Sequence, residues 1–365
     1  MPLAGKPAQT SIASAESNTH GSMFCVGDYF TAAEKFLSDN NFTRLKKIFE
    51  TISGKPVKAE KIGHVSIFLE KHGAFYHPMR VQAELKEANC CVFVLNGAVS
   101  KPGLALLKKE YSLISELNSK YGFPWIPRVS DCAILKTDKG RIGFFSGQWF
   151  EGFREFHVSE HKGTDQIAVW HSSGGRHYIS QHDALGIYRE ISRILTLYYD
   201  IETFEQIVSW HHAAGDFIFR VRKGRTQVRL VTIRGYESLM QFENEDADKK
   251  IYILPSLMFF FFNLSLRMRL DRRDGTKEPV LLTEKTISAA LEGFLTALDE
   301  KSANCRITNL KEEFIQFVMQ FSIQQIITIF QNMIESCRFD PKEETLIGKN
   351  LEHHCRYLFS CFKTM

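Results

Sequence analysis

One short stretch holds the residue types that chemistry needs. Trp210-His211-His212-Ala213-Ala214-Gly215-Asp216-Phe217 places two imidazoles and a carboxylate close together. Imidazole titrates near neutral pH and binds transition metals, so His211 and His212 are candidates for a general base or a metal ligand. Asp216 stands where the chain turns extended, and a carboxylate there must be paired or solvated, which makes it the strongest single candidate. The competing explanation is a loop whose histidines and aspartate only hydrogen-bond the neighbouring backbone. Other clusters say less. His353-His354-Cys355 with Cys361 matches no zinc spacing. Tyr76 and Phe75, in the turn His72–Pro78, either line a ligand loop or staple a hairpin. Arg267, Arg269, Arg272 and Arg273 alternate with Asp271 and Asp274, the mixed pattern of a solvated helix end.

The elements around the polar loop follow from periodicity. Residues 25–52 carry Tyr29, Ala32, Phe36, Phe42, Leu45 and Phe49 at helical spacing, with a polar break at Asp39-Asn40-Asn41. Extended segments are expected at 62–70, 80–85, 90–95, 125–129 and 142–150. A helix opening at Pro102-Gly103 follows the third of these, with Leu104, Leu107, Tyr111, Ile114 and Leu117 on its apolar face. After a Gly- and His-rich connector, 161–182, a helix is expected over 184–199. The loop then leads into a hairpin, 218–222 and 227–234, turning at Lys223-Gly224-Arg225. Everything beyond Ile251 is helical in period, and the clearest helix is 312–337. The run Phe259-Phe260-Phe261-Phe262 is expected to be core, and 251–266 is shorter than the ~20 residues a membrane span needs.

Composition bounds what these elements can do. The chain has 365 residues, 44% of them hydrophobic, with 30 Phe, so about two domains or lobes with a large core are expected. A formal charge of +4, from 46 Lys+Arg and 42 Asp+Glu, is too small to argue for nucleic acid or an anionic membrane as partner. The 8 cysteines form no CxxC pair and imply reduced thiols in a cytoplasmic protein. Residues 1–22 lack the apolar core of a secretory signal and are expected to be disordered.

This order of elements resembles the protein-kinase-like fold, in its aminoglycoside phosphotransferase-like branch, over roughly residues 60 to 300. Three stretches carry the resemblance. Gln148-Trp149-Phe150-Glu151-Gly152 looks like the Glu-Trp-Leu-x-Gly hinge on which such kinases hang adenine by backbone hydrogen bonds. Glu110 sits on the helix after the third strand, where the family's ion-pairing glutamate would be; with no lysine identified for it, a solvated helix residue is the favoured expectation. Residues 211–216 lie where the family reads Asp-x-x-x-x-Asn, a carboxylate that orients the acceptor hydroxyl and an amide that binds Mg²⁺. Matching Gly215-Asp216-Phe217 to the family's Gly-Asp-Leu makes Asp216 the catalytic acid but leaves Val221 in the Asn position. Matching by distance to the hairpin puts His211 at the catalytic position and Asp216 at the metal position, and this alignment is preferred.

The resemblance implies an α+β, two-lobed chain: a helical extension over 23–60, an N-lobe of antiparallel sheet plus one helix over 61–150, and a helical C-lobe with a β-hairpin over 151–365. It implies ATP and Mg²⁺ as cofactors wherever phosphoryl transfer is retained. The departures point the other way. The phosphate-clamping lysine is absent from the third strand, where Asn96 stands, and Lys101 is the nearest candidate. Only Gly73 represents the glycine-rich loop. Val231-Thr232-Ile233-Arg234-Gly235 replaces the second metal carboxylate, with Glu237 the nearest acid. Phosphoryl transfer depends on lysine and Mg²⁺ to neutralise phosphate charge. The expectation is therefore a pseudokinase-like protein that binds a small-molecule ligand or a protein. An active small-molecule kinase with rearranged residues, and an interaction protein with no small-molecule site, remain the alternatives.

Overall fold

The computed structural model describes residues 24–71, 76–86, 90–170, 175–212, 215–238, 249–304, 309–337 and 339–365. The expected disordered segment 1–22 and Gly73 lie outside the described residues. The fold class is α+β, and the chain divides into two units, 1–151 and 152–365.

In the first unit, β1 (Ile62–Leu69), β2 (Met79–Leu85), β3 (Cys90–Ala98), β4 (Val129–Thr137) and β5 (Gly140–Gln148) form one antiparallel sheet in the order β1-β2-β3-β5-β4. The strand expected at 125–129 starts only at Val129, because Gly122 ends the preceding helix in the left-handed conformation and a turn follows. Helix α1 (Val26–Ser53) packs on one face of the sheet and α2 (Lys101–Tyr121) on the other. The sheet is thus covered on both sides, which is why residues 142–147 of β5 are buried on both faces without a break. Successive residues point to opposite faces: Phe144 joins the core with Tyr29 and Phe36, and Phe145 joins Leu107 and Tyr111. The polar break in α1 is real, since residues 39–42 leave helical geometry and Asn40, Asn41 and Phe42 have φ of 54°, 55° and 60°. The two halves of the helix still share one core, through Tyr29, Phe36, Leu45 and Phe49. At Gly97 in β3, an added Cβ would lie 1.7 Å from the Tyr29 hydroxyl oxygen, so only glycine lets α1 approach there.

The second unit opens with a meander: β6 (Phe156–His161), β7 (Thr164–Trp170) and β8 (Arg176–Tyr178). This corrects the connector expected at 161–182: the strands are short, and their few buried apolar residues, Phe156, Val158 and Ile167–Val169, sit among polar ones that mask the pattern in sequence. Helix α3 (Gln181–Leu197) follows, then β9 (Glu205–Val208), the polar loop, the hairpin β10 (Phe217–Arg222) and β11 (Arg225–Leu230), and β12 (Gly235–Ser238). Beyond these come α4 (Ile253–Arg269), β13 (Leu270–Arg272) paired with β14 (Pro279–Leu281), α5 (Lys285–Asn304), α6 (Leu310–Met319), α7 (Ile323–Ser336) and α8 (Pro341–Lys363).

Two helical expectations are overturned here. The chain beyond Ile251 is not helical throughout, because β13 and β14 interrupt it. The helix expected over 312–337 is two helices, broken where Ser322 caps α7: its hydroxyl accepts from the Gln325 N–H, and the Gln325 side chain reaches back to the Ser322 N–H. The apolar stretch around α4 is longer than its sequence suggested. Lys249–Arg269, 21 residues, is long and apolar enough by composition to cross a membrane. In the fold its phenylalanines are packed by protein: Phe261 against Phe294, Phe314 and Phe362, and Phe262 stacked on Phe330.

Candidate functional site

Strand pairing builds the site in the second unit. β12 pairs with β9 in the register Gly235↔Val208, which carries the residue before β12 to the start of the polar loop. That residue is Arg234. Its Nη1 donates to the Ser209 carbonyl at 3.0 Å and to Asp216 Oδ2 at 2.5 Å, while Nη2 donates to Asp216 Oδ1 at 2.7 Å. Asp216 is 0% exposed and receives a third hydrogen bond, at 2.8 Å, from the backbone N–H of His211. The Asp216 carbonyl accepts from the Val231 N–H at 2.8 Å, which extends the hairpin ladder by one step. A planar guanidinium meeting a carboxylate at two points is the strongest geometry that pair can adopt. Gly215, at φ +72°, is needed at this bend, and an added Cβ would meet the Glu155 carboxylate at 3.2 Å.

Behind this pair lies a second polar group. His212 is buried, stacked edge-on to Tyr188 of α3 at 5.4 Å and to Trp210 at 5.4 Å. Asp271 of β13 is 0% exposed; its Oδ1 accepts from the Arg272 N–H at 2.7 Å. Its Oδ2 lies 4.0 Å from His212 Nδ1, too far for a hydrogen bond. Among the described residues, the Tyr188 hydroxyl, both His212 nitrogens and Asp271 Oδ2 are buried with no hydrogen-bond partner. Burial pushes the His212 imidazole down to about 3, with His211 adding to the effect, and pushes the Asp271 carboxyl up to about 7. Both directions favour the neutral forms, so the 4.0 Å approach is not an ion pair. His211 is held down to about 4, chiefly by burial and then by Arg272, Arg267 and Arg234, against the opposing pull of Asp216.

The residues expected to matter fall into two groups, one in each unit. His211 and Asp216 are brought together, but through the histidine backbone. In the first unit, Glu110 is 1% exposed, which corrects its reading as a solvated helix residue. Lys101 is exposed at the first position of α2. Nine residues at about 100° each put it on the opposite face of the helix from Glu110, roughly 13 Å away along the axis. The two are not brought together. Gln148 ends β5 with its backbone N–H donating to the Arg128 carbonyl at 2.8 Å, and Phe150 follows it, half-buried.

Asp216 does not fit Mg²⁺ in this arrangement. Both carboxylate oxygens are taken by Arg234, so a guanidinium already supplies the positive charge a metal would bring. Among the described residues no group of three or more His, Cys, Asp or Glu could hold a metal. The His353–Cys361 stretch divides accordingly. His353 bonds Glu284 at 2.6 Å on the surface, whereas His354 is buried between Ser265 at 3.1 Å and Arg269 at 3.3 Å. Arg269 itself is buried and Asp271 fully so, which overturns the solvated helix end expected there. Sequence reasoning missed Arg234, Tyr188 and Asp271. Arg234 was visible only as the wrong residue in a metal position.

No family model matches the chain, and no curated protein matches it at a significant level. Among solved structures, the PAN3 pseudokinase of Drosophila melanogaster is similar at 10% identity, with 85% of this chain and 70% of that chain covered and a TM-score of 0.30. PAN3 from Neurospora crassa, in a complex with PAN2, is similar at 12% identity, covering 88% of this chain and 69% of that chain with a TM-score of 0.31. Likenesses this loose carry no argument about function, and neither supports the aminoglycoside phosphotransferase branch.

Proposed function

We propose that this chain is a kinase-like protein that has given up phosphoryl transfer and acts by binding a small-molecule or protein ligand. The order of elements supports the fold: a five-stranded antiparallel sheet with a helix after its third strand, then, past the β6–β8 meander, a long helix, the short strand β9, a polar loop and a hairpin. One observation carries the functional half. Asp216, the carboxylate at the spacing-matched metal position, is fully buried and held at both oxygens by Arg234. Mg²⁺ binding there requires that ion pair to break, and breaking a buried pair costs about 3–5 kcal/mol. The positions of Lys101 and Glu110 point the same way, since an exposed lysine on the far face of α2 cannot complete a phosphate clamp with a buried glutamate.

The test is thermal denaturation with millimolar ATP, with and without Mg²⁺, alongside an ATP-turnover assay. The expected result is no turnover and no Mg²⁺-dependent stabilisation. A Mg²⁺-dependent rise in Tm that Asp216→Asn abolishes would restore the active-kinase alternative, because a ligand that binds only the folded state must stabilise it.

A further inference from the structure

The hairpin β10–β11 carries five basic residues and no acidic one between Phe217 and Leu230. Its register sorts them by face. Phe217, Phe219, Val228 and Leu230 are buried on one side. Arg220, Arg222, Arg225 and Arg229 share the other side, since cross-strand partners and residues two apart project the same way. Arg222 sits directly across from Arg225. Like charges directly opposite on a sheet destabilise it. Arg222, Lys223 and Arg225 are all exposed and, among the described residues, none has an ion-pair partner. Lys223 adds to the cost by holding φ at +51° in the two-residue turn, where Asn or Gly is preferred.

The base of this face is braced. Arg220 lies over the Phe153 ring at 4.5 Å from its centroid and donates from Nε to Gln227 at 2.8 Å. Arg229 lies over the same ring at 5.1 Å. Burial, followed by the charge of Arg220, pulls the Arg229 guanidinium below its usual range, with Glu190 acting in the opposite sense at this buried end of the face.

A strand pair that accepts this much self-repulsion is complementary to an anion, and the spacing indicates which. Arginines two apart on a strand are about 7 Å apart, the repeat of alternate side chains in an extended peptide. From the Arg222–Arg225 rung to Arg229 the face spans about 13 Å, enough for roughly four extended residues. We propose that the arginine face of β10–β11 docks an extended acidic peptide segment of a partner protein, with carboxylates at alternate positions meeting guanidinium forks. A formal charge of +4 over the whole chain gives little of the long-range attraction that a nucleic-acid duplex rewards, which favours the peptide. The proposal does not depend on whether the polar loop handles a nucleotide, because it uses none of that loop's residues.

The test is fluorescence anisotropy with the full chain and a fluorescein-labelled peptide of alternating Glu and Ser. Binding is expected at low salt, weakening as salt rises. Arg222→Glu with Arg225→Glu should weaken it by about tenfold or more. Lys349→Glu with Lys363→Glu, the same change in net charge on α8, should leave it within about twofold. Because the two arginines are exposed and repel, their reversal should not lower Tm, so loss of binding is separable from loss of fold. Absence of binding, or equal losses in both double variants, overturns the proposal. Tighter binding to single-stranded DNA or to phosphatidylserine vesicles than to the peptide overturns the choice of partner.

Discussion

Two aspartates in the second unit are each 0% exposed, and the fold treats them in opposite ways. Asp216 has two guanidinium hydrogen bonds and a backbone N–H. Asp271 has one backbone N–H, and its other oxygen faces His212 and Tyr188 without a bond. The first is a satisfied charge that fixes the loop against β12. The second is a carboxyl held towards neutrality by burial. Side chains flagged by sequence as catalytic have thus become the structural half of the site, while the half left chemically unsettled is one that sequence reading assigned to the surface.

The largest way to break this contrast is to remove the partner of the satisfied aspartate. Arg234→Ala leaves Asp216 buried with its charge uncompensated, and a loss of about 3–5 kcal/mol in urea unfolding is expected. Adding Asp216→Asn should recover part of that loss, because the amide needs no counter-charge. If Arg234→Ala unfolds within about 1 kcal/mol of the parent, the ion pair is not what holds this loop.

A pair of histidines sharpens the same contrast. His354 has both ring nitrogens engaged; Arg269 can only donate, so His354 Nδ1 accepts and Nε2–H serves Ser265. His212 has neither nitrogen bonded. His354→Phe takes the partner of Arg269 Nη1 and one of the two hydrogen bonds of the Ser265 hydroxyl, and should cost about 2 kcal/mol. His212→Phe loses only a weak approach to the Leu270 backbone, keeps the ring contacts with Tyr188 and Trp210, and should change stability by less than about 1 kcal/mol. Equal losses in the two variants would show that His212 has partners after all.

How far the site could be read in advance follows from what each residue depends on. The sheet and α2 were legible because their signals are local: apolar periodicity in α2, and the unbroken apolar run Cys90–Leu95 of β3 that two covering helices require. The pairing of His211 with Asp216 was legible as a spacing. Arg234 was not, because its place beside Asp216 is set by the Gly235↔Val208 register between segments far apart in sequence. Asp271 and Glu110 were misread for one reason: a charge in a mixed or amphipathic context defaults to solvent, and only tertiary packing reveals burial. The break between α6 and α7 was a different failure. Ser322 and Gln325 form a local capping signature that the strong apolar stripe concealed.

The smallest effect separates the two aspartates by pH. With its carboxyl raised to about 7 against an ordinary 3.8, Asp271 destabilises the fold above pH 7, and that burden is relieved as pH falls towards 4. His211 and His212 act in the reverse sense: lowered to about 4 and about 3 from 6.5, they withdraw stability as pH falls below 6.5. In the parent chain the two trends oppose each other. Asp271→Asn removes one of them. At pH 8 it should raise Tm by roughly 2–4 °C, about 1 kcal/mol, because the amide relieves the charge but brings two donors into the same unpartnered space. The gain should fall as pH drops below 7 and turn into a loss near pH 4, where the parent's folded-state carboxyl is protonated and only the amide's own cost remains, so the variant should lose stability in acid more steeply than the parent. A gain independent of pH would mean that the charge on Asp271 is already neutralised by a partner, and the contrast with Asp216 would close.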